Sequence, residues 1–196
     1  SIGHAPQIAL ADSAKGSVMA IAEALTNIVG APLADGLKSV SLSANWMWPC
    51  KNQGEDAALY RAVEACSRFA IDLGINIPTG KDSLSMTQKY GDRKVFAPGT
   101  VIISAAGETK DVRSVVSPVM VRRAKSQIYY IDFSSDALRL GGSALAQTLN
   151  AVGSDVPTVK DAEYFKRAFA AVQKLVNDRK LLALHDVSAG GMVTAL

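Results

Sequence analysis

The sequence predicts an α+β fold. Two observations carry that reading: Ser17–Val29 and Asp56–Leu73 repeat apolar residues at helical spacing, and the strand-like segments after the second helix follow one another with only turns between them. Regular strand–helix–strand winding would interleave the two types one for one.

In the first helix Val18, Ile21, Ala22, Leu25, Ile28 and Val29 make the apolar face, Gly30 ends the turn and Pro32 lies beyond it. Ser39–Ser43 alternates as a short strand does and runs on into Ala44-Asn45-Trp46-Met47-Trp48-Pro49, closed by the proline. The second helix aligns Leu59, Val63, Cys66, Ala70 and Leu73 on one stripe and stops at Gly74. Strands are expected at Ile75–Pro78, Ser83–Tyr90 and Thr100–Gly107, with Tyr90-Gly91-Asp92-Arg93 as the turn between the last two. From Ser117-Pro118 to Lys125-Ser126 the pattern breaks at a cluster holding Arg122, Arg123 and Lys125, which suggests a domain boundary. Beyond it the sequence predicts a strand at Gln127–Phe133, a turn at Leu140-Gly141-Gly142-Ser143 and a helix from Ala144. A long helix over Lys160–Asp178 and a strand at Leu181–Leu184 follow. The chain starts at Ser1 and stops five residues after Gly190-Gly191, and it reads as a segment of something longer. No repeat and no low-complexity tract interrupts it.

Composition narrows the classes. With 196 residues, 48% of them hydrophobic, the chain can bury a substantial core. Lys and Arg number 21 against 18 Asp and Glu, a net charge of +3 without a basic run, so nucleic acid is not an expected partner. No apolar stretch approaches the roughly 20 residues that cross a bilayer, and no signal peptide is visible, so a soluble protein is expected. Cys50 and Cys66 lack CxxC spacing, which argues against a disulfide framework and a zinc site and for a reducing, cytoplasmic setting. Cys66 falls on the apolar stripe and Cys50 has no basic partner, so both read as structural thiols. Trp46 and Trp48 point the same way on an extended segment, and packing explains them better than base stacking.

Three clusters carry possible chemistry. Glu23 and Asn27 lie four apart on one helical face beside Ala20 and Ala24, presenting two hard oxygens that suit Mg²⁺, a cation that shares few protein carboxylates with phosphate and water. A solvated polar stripe is the commoner use of such a pair. Gly80-Lys81-Asp82-Ser83-Leu84-Ser85-Met86 combines a flexible glycine, a cation, a carboxylate and hydroxyls that can hold phosphate, metal and sugar. It is not a Walker A sequence, and a turn in which Asp82 and Ser83 bond their own backbone is the alternative. His185-Asp186-Val187-Ser188-Ala189-Gly190-Gly191 sits at a strand-to-helix junction, where backbone amides attract anions. Asp186 there implies a bound cation, or else Asp186 or Ser188 caps the helix. His4 is assigned no role.

The blocks Glu23-Ala24-Leu25-Thr26-Asn27, Leu42-Ser43-Ala44-Asn45-Trp46-Met47, Gly54-Glu55-Asp56, Pro78–Met86 and His185–Gly191, in that order, resemble the large form of phosphoribosylformylglycinamidine synthase. Members of that family are ATP-dependent carbon–nitrogen ligases of purine biosynthesis. They use ATP and glutamine to turn formylglycinamide ribonucleotide into its amidine. The resemblance implies a longer chain with an N-terminal domain, two repeats of the aminoimidazole ribonucleotide synthetase fold and a C-terminal glutaminase domain. This sequence is similar to the second repeat. Residues 1–118 correspond to its N-terminal-type domain without the first strand or strands, and 119–196 to the truncated opening of its C-terminal-type domain.

In the family that repeat holds an auxiliary ATP or ADP with Mg²⁺, apart from the productive site. By motif the resemblance implies Glu23, Asn27 and Asp186 as metal ligands and Ser188 as a nucleotide contact. Lys81, Asp82 and Ser83 fall in a block that binds nucleotide or substrate. It identifies no catalytic residue, and the family's remaining aspartate ligand has no counterpart here. The segment is therefore expected to be inactive alone. The alternatives are a free-standing relative, such as aminoimidazole ribonucleotide synthetase or selenophosphate synthetase, and a structural module that binds no nucleotide. The Asn45-Trp46-Met47 block argues against the free-standing enzymes.

Overall fold

A computed structural model describes residues 1–196. Its elements run β1 (Ile2–His4), α1 (Pro6–Ala11), α2 (Ser13–Ile28), β2 (Val40–Met47), α3 (Glu55–Leu73), β3 (Asn76–Ser83), β4 (Thr87–Tyr90), β5 (Arg93–Phe96), β6 (Thr100–Gly107), α4 (Ala144–Thr148), α5 (Ala162–Asn177) and α6 (Gly191–Ala195). The α+β expectation holds. The larger of two sheets is four-stranded in the order β1-β6-β2-β3, antiparallel except for the parallel β2–β3 pair.

Both long helices form where the periodicity predicts. The first begins at Ser13 rather than Ser17, because the Asp12 carboxylate accepts the amides of Ala14 and Lys15 and so caps an extra turn. The other ends as expected at Gly74, whose φ of +74° lets its amide reach back to Ala70 and Ile71 carbonyls. Its buried stripe is rotated from the expected one: Ala62, Cys66, Phe69, Ala70 and Leu73 are buried, whereas Val63 is 42% exposed. The cause is α2, which packs against α3 closely enough for Ser17 Oγ to donate to the Ala62 carbonyl at 2.8 Å. On α5 the expected Lys160–Asp178 span shortens to Ala162–Asn177, with Asp161 as the cap.

The strands depart further from expectation. A single strand, β3, runs through Pro78 to Ser83, so the Gly80-Lys81-Asp82-Ser83 block is extended and not a turn. Proline is tolerated because β3 is an edge strand, where a missing amide costs no ladder bond. The expected Ser83–Tyr90 strand is replaced by β4, which pairs with the unanticipated β5 around the predicted Tyr90–Arg93 turn. Gln127–Phe133 and Leu181–Leu184 form no strand, because no segment of the chain pairs with either. Ile128 and Tyr129 are accordingly 72% and 76% exposed. The three-residue β1 was not anticipated at all.

A single hydrophobic cluster of 22 buried residues joins α2, α3, β2, β6 and α5, so residues before and after position 118 share it. Phe165 lies edge-on to Phe69 and Phe133 and stacks on Phe169. One polar side chain enters this core from α5. Gln173 is 5% exposed, donates from Nε2 to the carbonyls of Val29 at 2.7 Å and Ala31 at 2.8 Å, and accepts the Leu33 amide at 3.0 Å. These three groups leave α2 where no helix or sheet can satisfy them, and an unpaired buried group is costly. Gln173→Met fills the same space with no polar atom, and we expect it to lower unfolding free energy by about 3 kcal/mol in urea denaturation.

Asp136 organises the connection between β6 and α5. Its side chain is 1% exposed, with Lys160 Nζ at 2.6 Å and Arg139 Nε at 3.0 Å, and Arg139 also reaches Asp155. Lys160 first and Arg139 second hold its carboxyl well below the usual carboxylate range. A folded value below the ordinary 3.8 means the stabilisation is present above that pH and is lost as the pH falls beneath it. Wild-type urea midpoints should therefore drop between about pH 5 and about pH 2, and Asp136→Asn should flatten that drop while lowering the midpoint at neutral pH.

Candidate functional site

The site is built where the edge of the sheet meets α2. Gly3 makes the contact possible: a Cβ there would lie 2.2 Å from the Ala20 carbonyl oxygen and 2.3 Å from the Ala24 amide nitrogen, so any other residue would push β1 off the helix. With glycine in place the strand's backbone reaches the helix's polar face. The His4 amide donates to Glu23 Oε2 at 2.8 Å, Asn27 Nδ2 donates to the Ile2 carbonyl at 3.2 Å, and Ser1 Oγ donates to the Ala24 carbonyl at 2.6 Å. Glu23 and Asn27 are thus held one turn apart by main-chain partners rather than left on a freely solvated stripe.

The second contribution comes from the far end of the chain. Ser188 Oγ donates to Glu23 Oε1 at 2.6 Å, joining residues 165 positions apart. Neither Ser188 nor Asp186 caps the helix that follows. The N-cap of α6 is Gly190, at φ +91° and with no side-chain cap, so the capping alternative fails for both residues. Asp186 is largely enclosed, its side chain 13% exposed, and its partner is the neighbouring His185, whose Nδ1 lies 3.3 Å from Oδ1 and 2.6 Å from the Asp186 carbonyl oxygen.

The structure does not bring every expected residue together. Lys81 lies on β3 opposite Asn45, which faces Ile102, which in turn faces His4. Three strand spacings, about 14 Å, therefore separate the Lys81 backbone from the strand that holds Glu23. The alternation of β3 also divides the block: Lys81 Nζ donates to Ser83 Oγ at 2.8 Å on one face, while Asp82 points to the other. Trp46 and Trp48 pack at 6.4 Å between ring centroids, with Trp48 2% exposed. Burial pushes the Cys66 thiol up to about 12, and burial with Asp56, Glu55 and Asp82 nearby raises Cys50 as well. Both thiols stay protonated, as structural cysteines do.

The donor set restricts the cation that fits. No three or more His, Cys, Asp and Glu side chains gather as a metal cage. What is present is one carboxylate and one amide oxygen on α2, with no cationic side chain paired to Glu23 and with Asp186 on the adjoining segment. Hard oxygen donors in such small number match Mg²⁺, which keeps water and phosphate in its remaining positions, and do not match zinc. Sequence reasoning missed the role of β1. Its signal is a lone glycine between two larger residues, too short to register as alternation.

A family model described as FGAR-AT PurM_N-like domain matches residues 1–108. A probable phosphoribosylformylglycinamidine synthase of Caenorhabditis elegans is 40% identical over 207 residues, covering 100% of this chain and 16% of that protein. The phosphoribosylformylglycinamidine synthase of Homo sapiens is 41% identical over 197 residues, covering 100% of this chain and 15% of its own length. The chain thus spans only 15–16% of the length of these relatives. Among solved structures, T. maritima PurL complexed with ATP superposes with a TM-score of 0.57 at 11% identity, over 99% of this chain and 27% of that one. At that identity the likeness shows a common fold. No helix is long and apolar enough to cross a membrane.

Proposed function

The chain belongs to the FGAR-AT PurM_N-like domain family, and from that premise we propose that it is a segment of a phosphoribosylformylglycinamidine synthase, the ATP- and glutamine-dependent ligase that makes formylglycinamidine ribonucleotide. Its part in that enzyme is to hold an auxiliary magnesium nucleotide, ATP or ADP, rather than to turn one over. Residues 1–118 are the N-terminal-type domain of a synthetase-like repeat and 119–196 the opening of its C-terminal-type domain. Its partners are the remaining domains of the longer chain, a glutaminase domain among them.

The observation that carries the site reading is the Ser188–Glu23 hydrogen bond, which docks the His-Asp block on the carboxylate–amide pair of α2. Those two regions are the ones a metal-bridged nucleotide needs from opposite ends of the repeat. Glu23, Asn27 and Asp186 would hold the cation, and Ser188 lies where it can reach a ligand held there. Magnesium, when bound, neutralises phosphate charge and orients the phosphates. The solved structure of T. maritima PurL with ATP supports nucleotide binding on this fold. Lys81 and Ser83, joined by a hydrogen bond on β3, stand apart from that set, which suits contact with a separate part of the nucleotide or with substrate.

Calorimetric titration of magnesium nucleotide into the full-length protein tests this reading. Glu23→Ala and Asn27→Ala should each remove most of the binding, and the double variant should lose clearly less than the two single losses added, because ligands of one ion are coupled. Additive losses, or none, would leave the repeat a scaffold. The isolated 196 residues should yield no amidine from ribonucleotide, glutamine and ATP in a product assay. ATP-dependent product from them would overturn the view of the segment as part of a larger catalyst.

A further inference from the structure

We propose that Ser188 is a positioning residue for the cation site: its hydroxyl, together with the main chain of β1, fixes the orientation of Glu23 and Asn27 before any ligand arrives. This rests on the reading of those two side chains as cation ligands and goes beyond it by assigning what holds them. Ser188 Oγ and the His4 amide donate to different oxygens of Glu23, at 2.6 and 2.8 Å. Two fixed donors on two oxygens define the plane of a carboxylate that otherwise rotates freely about its last bond. One lone-pair direction on each oxygen is left for a metal, because a carboxylate oxygen accepts from more than one direction.

Asn27 is oriented by a complementary device. The Ile2 carbonyl can only accept, so it selects Nδ2 of the amide at 3.2 Å and leaves Oδ1 turned away from β1. A reversed amide would set two oxygens against each other and offer the cation an NH₂ group. Neutral donors hold Glu23 without cancelling its charge, whereas a lysine in the place of Ser188 would compete with the metal. Outer partners of this kind commonly change metal affinity 10–100-fold when removed.

The test uses the full-length protein and Mn²⁺ ions without nucleotide, so that direct contact between Ser188 and a nucleotide is silent. Bound Mn²⁺ is read by loss of the free-ion electron paramagnetic resonance signal, and the equivalents lost in Glu23→Gln define this site. Ser188→Ala should weaken that site by about tenfold or more, and Ser188→Thr, which keeps the hydroxyl, should restore affinity to within about threefold. Ser188 is exposed, so these variants should keep the wild-type unfolding midpoint. Asn27→Asp should weaken the site despite its added charge, because it places an oxygen against the Ile2 carbonyl. If Ser188→Ala leaves Mn²⁺ affinity unchanged while Glu23→Gln abolishes it, positioning is overturned and the cation reading stands. If neither Glu23→Gln nor Asn27→Ala alters Mn²⁺ binding, the cation reading falls and this proposal with it.

Discussion

The close packing of α2 is the constraint on which the rest of the molecule depends. Three neighbours approach it along seams of small residues. Gly3 leaves no room for a Cβ between β1 and the backbone of Ala20 and Ala24. On another side, a Cβ at Gly16 would lie 2.6 Å from that of Ala9 on α1, and Ser17 reaches across to the Ala62 carbonyl of α3. A helix gripped this way cannot slide by a residue or rotate by a fraction of a turn without collision. The backbone of Glu23 and Asn27 is therefore fixed by the core, and only the two side chains remain to be oriented by their polar partners.

Two carboxylates, Asp136 and Glu23, have opposite surroundings. Asp136 sits between Lys160 and Arg139, so its charge is neutralised by the protein and its work is complete once the loop is folded. Glu23 has only uncharged donors, the His4 amide and the Ser188 hydroxyl. Neutral donors orient an anion without compensating it, and an uncompensated anion keeps its attraction for a cation from outside. That difference, more than any motif, separates a structural carboxylate from a candidate ligand in this fold.

Much of the architecture was legible because helices write their packing locally. Apolar residues at a period near 3.6 mark helices at Ser17–Val29 and Asp56–Leu73, close to the observed Ser13–Ile28 and Glu55–Leu73, and Gly74 marks one end, whereas the Asp12 and Asp161 caps emerge only in the structure. Strands depend on partners, and here the sequence misleads. Gln127–Phe133 and Leu181–Leu184 have strand-like composition but form no ladder with another strand, whereas β1 is a strand only because β6 pairs with it. The Gly80 block looked like a loop because Pro78 and Gly80 are poor strand formers. At an edge, proline loses nothing, and a Cβ at position 80 would lie 2.0 Å from the Ala44 carbonyl oxygen, so glycine is required for β3 to approach β2. The pairing of Glu23 with Asn27 was readable from helical spacing. Their anchoring by β1 was not, because main-chain donors have no signature in side-chain identity.

Gln173 connects the core to the site. By satisfying Val29, Ala31 and Leu33 it ties α5 to the chain leaving α2, in a place where apolar packing alone would permit several rotations of α5 about its axis. Its directionality selects one. The chain then leaves α5 through Arg179, at φ +54°, and Leu184 donates its amide to the Ser117 carbonyl at 3.1 Å. Four residues later Ser188 meets Glu23. The hydroxyl that meets Glu23 thus lies on the segment that follows the helix Gln173 anchors.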